Sequence, residues 1–210
     1  MPQRATPFFP NQYYHFYNRG NNRQVVFLER DSYLYFLHGI KKYLCPRMDI
    51  LAYSLMPTHY HILGRIKPTS EVSETSEVSM EITSITVSLA MQKLGISYTK
   101  AINKRFNRVG ALFQGQFQGK PIQHYHHLLS LCLYIHTNPV QGRIVAQPED
   151  WEFSNYLEWM QLREGTLANR EFIIENFGTP DEYKALMMEH IQTGFLPDDM
   201  SRYLQHYEDK

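Results

Sequence analysis

The chain of 210 residues, 43% apolar and of formal net charge +0, can bury one substantial core and sits near the upper end of single-domain size. No stretch approaches the ~20 apolar residues of a membrane span, Met1 to Pro7 has no apolar signal core, and Cys45 and Cys132 lack the paired spacing of a disulfide framework or thiolate site. Membrane-spanning and disulfide-stapled secreted classes are thereby excluded, and a cytoplasmic protein is expected.

The zero balance conceals a segregation. Ile82 to Pro148 holds seven basic residues (Lys93, Lys100, Lys104, Arg105, Arg108, Lys120, Arg143) and no acid, whereas Glu149 to Lys210 holds five basic and fourteen acidic ones. The first is a polyanion-binding composition, and the second compensates for it.

Tyr13 to Asn18 is aromatic and β-prone and ends in the turn cluster Arg19-Gly20-Asn21-Asn22, which predicts a strand and a loop. Asp31 is the expected cap of a first helix, with Tyr33, Leu34, Leu37, Ile40 and Leu44 at helical spacing and Cys45-Pro46 as its stop. Met48 to Leu55 and Tyr60 to Ile66 read as two strands joined through Met56-Pro57-Thr58. Residues 69–80 repeat a Ser/Thr/Glu-rich hexamer, TSEVSE then TSEVSM, and are expected to be a mobile loop insertion. Ile82 to Phe106 is a second helix that Gly95 could kink, and the glycine-rich stretch Gly110 to Ile122 suggests a bent strand. His126 to Asn138 forms a third helix stopped by Pro139.

The resulting order β-α-β-β-α-β plus a helix predicts an α+β protein of the ferredoxin-like split βαβ type, with an antiparallel sheet whose open face the last helix can cover. The expected boundaries are a main domain over 1–148 and an acidic, α-helical C-terminal extension over 149–210.

His59-Tyr60-His61 starts a predicted strand. Residues i and i+2 share a face, so both imidazoles can meet one cation while Tyr60 points into the opposite layer. Two solvent-facing histidines would give the same tripeptide. Tyr134-Ile-His-Thr-Asn138 places a phenol and an amide four apart on one helical face, suiting a nucleophile and a third metal ligand. A core tyrosine and a helix-ending asparagine would also fit. Together, two neutral imidazoles and a neutral amide leave a divalent cation's charge available to a scissile phosphate. A phenol, ordinarily of pKa about 10, then needs the phosphate held in line. Its ester product conserves the phosphodiester's free energy, so strands can be rejoined. Imidazoles by themselves favour Zn, Fe or Ni over Mg.

At these residues the chain resembles a known family. Leu55-Met56-Pro57-Thr58-His59-Tyr60-His61 and Tyr134-Ile135-His136-Thr137-Asn138-Pro139-Val140 are similar to the two signatures of the IS200-like, REP-associated tyrosine transposases. Tyr14 to Gly20 (YHFYNRG) and Gly110 to Gln114 resemble its accessory motifs, so the likeness runs from about Tyr13 to Val145. Thr58 stands where an Asn is common. The resemblance implies a ferredoxin-like HUH endonuclease domain, His59, His61 and Asn138 as metal ligands, Tyr134 as nucleophile, Mg2+ or Mn2+, and a 5′-phosphotyrosine intermediate. It also implies single-stranded DNA with hairpins as the partner, and a monomer or homodimer.

Tyr125 is a rival nucleophile, but it has Leu129 rather than an amide four residues on. His124, His126 and His127 form a denser cluster that could assist phosphate binding or be solvated, while His136 should face away from Tyr134. Arg19, Lys104, Arg105, Arg108, Lys120 and Arg143 are candidate DNA-backbone contacts, and Tyr17, Phe113 and Phe117 could stack unpaired bases. Two rival functions fit less of this pattern. A hairpin-binding module with vestigial chemistry leaves the four catalytic groups unexplained, and a small-molecule hydrolase leaves the acid-free run unexplained.

Overall fold

The computed structural model describes residues 7–68, 77–167, 169–194 and 201. β1 (Tyr13–Arg19), α1 (Arg30–Gly39), β2 (Met48–Met56), β3 (His59–Ile66), α2 (Glu77–Arg105) and β4 (Gln118–Ile122) follow the split βαβ order. Their strands form one antiparallel sheet ordered β2-β3-β1-β4, the ferredoxin-like plan that the sequence predicts. α3 (Tyr125–Gln141) follows, then α4 (Tyr156–Trp159), α5 (Arg170–Phe177) and α6 (Pro180–Thr193). No described helix is long and apolar enough to cross a membrane.

Strand alternation divides the apolar side chains between two cores. Tyr14, Phe16, Tyr60 and Ile62 pack on one face with Phe36 of α1 and Leu94 and Tyr98 of α2. On the other, Leu63 and Ile122 meet Leu128, Leu131 and Ile135 of α3. A β-bulge between Ile50 and Ala52 turns Leu51 and Ala52 both towards α3. Each such large apolar side chain contributes about 1.5–3 kcal/mol on burial, so α3 is fixed over the sheet.

A polar network fixes it further. Asn155 Nδ2 donates to the Leu51 carbonyl at 2.8 Å, which leaves its Oδ1 to accept from the Tyr53 N–H at 2.7 Å and from His136 Nε2 at 2.9 Å. His136 Nδ1 therefore accepts from the Tyr183 hydroxyl at 2.7 Å. This buried chain of bonds ties α3 and β2 to α6.

Several boundaries differ from the expected ones. α1 has Glu29 rather than Asp31 at its N-cap, and Asp31 lies in the first turn, where the helix dipole favours an acid. α1 also continues as a π turn over Ile40–Leu44. Of the repeat insertion, residues 69–76 lie outside the described residues, and residues 77–80 are the first turn of α2 rather than loop. That helix passes through Gly95 as one element. Strand pairing in the glycine-rich stretch is confined to β4 and an isolated Gly20–Phe113 bridge, because Gly110 and Gly115 turn the backbone at φ 88° and 70°. Pro139 lies inside α3 instead of ending it. Only Val140 and Gln141 follow within the helix, so the missing N–H forfeits one bond near its end.

Candidate active site

At one end of the sheet, where β1 finishes and β3 and β4 begin, a cleft of about 590 Å³ opens beneath the C-terminal half of α3. His59, His61, Tyr134 and Asn138 all line it. Antiparallel register places Arg19 opposite His59, and Tyr17 between His61 and Gln118. The two imidazoles share the α3 face, with ring centroids 5.0 Å apart. Tyr60 lies in the opposite core. Tyr134 descends from α3 edge-on to His61, at 5.5 Å between centroids and 80° between planes. One helical turn on, Asn138 hydrogen-bonds the His59 side chain.

The Nδ1 atoms of both histidines are engaged from behind. His59 Nδ1 lies 3.0 Å from the Thr58 hydroxyl, and His61 Nδ1 lies 2.9 Å from Nε2 of the fully buried His15. Burial, reinforced by the Arg19 charge, lowers the His59 pKa to about 4, the bond to Asn138 opposing. Burial and then the neighbouring imidazoles push His61 well below 6.5, and burial brings His15 to about 3. These rings are neutral at pH 7, the state in which imidazole can ligate a metal. Among the described residues no carboxylate lines the cleft, while Arg19, Arg23 and Lys120 do. Among the described residues no group of three His, Cys, Asp or Glu side chains could hold a metal. A cation held here by three side chains would therefore use the two imidazoles with an amide, a donor set that fits a divalent ion without cancelling its charge.

Of the six basic residues singled out as DNA contacts, Arg19 and Lys120 line the cleft and the other four do not. Arg105 pairs with Glu29, and with Asp31 at 3.5 Å. Arg108 donates to Gln24 Oε1 at 2.6 Å. Lys104 and Arg143 are exposed. Tyr125 is 60% exposed, donates to Asn176 Oδ1 at 2.6 Å and is absent from the cleft lining. The rings of His124, His126 and His127 pack against one another at the far end of α3, one pair stacked and two edge-on. Tyr17 lines the cleft, whereas Phe113 and Phe117 pack in or against the core on the other face. Sequence reasoning missed His15, which lies behind His61, and the amides Gln114, Gln116 and Gln118, which line the cleft. A period of two in Gln114-Gly-Gln-Phe-Gln118 was the available signal for the glutamines.

A ferredoxin-like sheet with an imidazole pair beneath a tyrosine-bearing helix is the class of protein that this fold and cleft define. No protein-family model matches the chain, and no curated protein matches it in sequence. Among solved structures, a REP-associated tyrosine transposase bound to a REP hairpin superimposes with a TM-score of 0.57 at 19% identity, over 80% of this chain and 94% of that one. The chain thus shares that protein's fold. A bacterial tRNA(His) guanylyltransferase-like protein, solved with GTP and with ATP, gives TM-scores of 0.42 and 0.41 at 10% identity. Those alignments cover 65% and 69% of this chain and 68% and 67% of the other.

Proposed function

We propose that the protein is a hairpin-DNA-binding transposase that cuts and rejoins single-stranded DNA through Tyr134. The carrying observation is the convergence, in one cleft lined by Arg19, Arg23 and Lys120, of two histidines from β3 with a phenol and an amide from the helix over it. The fold shared with a transposase that binds a REP hairpin supports the same partner here. All four groups come from one chain, so the reading needs no second subunit.

In this reading His59, His61 and Asn138 hold Mg2+ or Mn2+. When bound, the ion supplies Lewis-acid polarisation of the scissile phosphate. Arg19 and Lys120 hold the strand by its phosphates. Tyr134 Oη attacks phosphorus, losing its proton to solvent. The bond from phosphorus to the 3′ oxygen breaks, and that oxygen leaves as a 3′ hydroxyl after taking up a proton. The product is a 5′-phosphotyrosine ester. Attack by a 3′ hydroxyl of another strand reverses the sequence, so joining requires no ATP.

The test is incubation with single-stranded hairpin DNA and Mn2+, followed by denaturing electrophoresis. A covalent adduct is expected for the wild type and for Tyr125→Phe, and none for Tyr134→Phe. Hairpin binding without any wild-type adduct would reduce the protein to a binding module and overturn the reading.

A further inference from the structure

We infer that His15 is a positioning residue that sets the tautomer of His61, holding its Nε2 lone pair towards the cleft before any metal arrives. This rests on the reading of His59, His61 and Asn138 as metal ligands. His15 and His61 are diagonal neighbours on adjacent strands, since His15 pairs with Leu63 and His61 with Tyr17. Their rings stack at 5.1 Å and 22°, bringing His15 Nε2 to 2.9 Å from His61 Nδ1. At that distance one nitrogen donates and the other accepts.

The two arrangements differ in consequence. If His15 donates, His61 Nδ1 is the acceptor and the single proton of a neutral His61 sits on Nε2, where it blocks coordination. If His61 donates, its proton sits on Nδ1 and Nε2 presents a lone pair. Only the second serves a metal site, and it requires His15 to carry its own proton on Nδ1. His15 is not itself a ligand, because the nitrogen it turns towards the site is taken by His61 and the residue does not line the cleft. Carboxylates or carbonyls commonly orient ligand histidines from behind. Here an imidazole does so, adding no negative charge to a cleft that binds phosphate.

Long-range proton–nitrogen spectra of the metal-free protein with 15N-labelled histidine test this directly, with His61 assigned by the signals lost in His61→Gln. His61 is expected to carry its proton on Nδ1 in the wild type and to lose that preference in His15→Leu. Mn2+ affinity, read by electron paramagnetic resonance, should weaken about 10–100-fold in His15→Leu. His15→Gln, whose amide oxygen can accept the same proton, should retain most of it. A His61 protonated on Nε2 in the metal-free wild type overturns the assignment, as does wild-type Mn2+ affinity in His15→Leu. A wild type with the expected tautomer but no Mn2+ affinity would instead contradict the metal reading.

Discussion

Arg19 and His59 face each other across the β1–β3 ladder, and Nη1 of Arg19 is buried with no hydrogen-bond partner among the described residues. A guanidinium N–H left in this state beside an imidazole awaits an acceptor, and a scissile phosphate is one. Arg19→Ala should slow single-turnover cleavage about 10²–10³-fold, as does loss of one donor to developing negative charge. Hairpin affinity, spread over several phosphate contacts, should weaken by less than about tenfold. Equal losses in both would make Arg19 a general DNA contact.

His59→Ala should abolish cleavage while hairpin binding is largely retained, because affinity rests on the cationic surface and not on the imidazole. Anisotropy titration and a cleavage gel on the same preparation separate the two. Loss of both would make His59 a structural residue.

The Tyr183 hydroxyl is the donor that satisfies buried His136 Nδ1. Tyr183→Phe leaves that nitrogen desolvated and unpaired, which costs about 1–3 kcal/mol. Tm should fall by several degrees, with Mn2+ affinity preserved. An unchanged Tm would mean that α6 does not brace α3 through this bond.

Burial depresses His15 to about 3 and His59 and His136 to about 4, from an ordinary value of 6.5. Above 6.5 the folded and unfolded chains hold these rings neutral alike. Below it the unfolded chain takes up protons that the folded chain refuses, so folding stability is lost as pH falls from 6.5 towards 4. The loss is about 1.4 kcal/mol per pH unit for each histidine. Tm should therefore be clearly lower at pH 5 than at pH 7; a flat profile would show that the buried rings exchange with solvent.

Local periodicity made much of this legible in the sequence. His59 and His61 two apart on a strand, and Tyr134 and Asn138 four apart on a helix, converge because alternation and helical pitch are properties of short segments. His15 was not legible, since its meeting with His61 depends on the register between β1 and β3. Charge composition did not indicate which cationic groups reach the cleft. Of the seven basic residues between Ile82 and Pro148, only Lys120 lines the cleft, because the run is distributed over α2, β4 and the loops that follow α2 and α3, and Arg105 is drawn to Glu29 and Asp31 at the start of α1. Pro139 does not stop α3, because the full penalty of a proline belongs to a helix interior and this one sits in the last turn.

Covalent attachment of the strand to Tyr134 is the step on which the proposed chemistry turns. After reaction with hairpin DNA and nuclease trimming, peptide fragmentation by mass spectrometry locates the nucleotide remnant along α3. A phosphate-linked nucleotide on Tyr134 is expected, whereas a remnant on Tyr125 or Tyr17, or cleavage with no modified tyrosine, would rule out Tyr134 as the nucleophile.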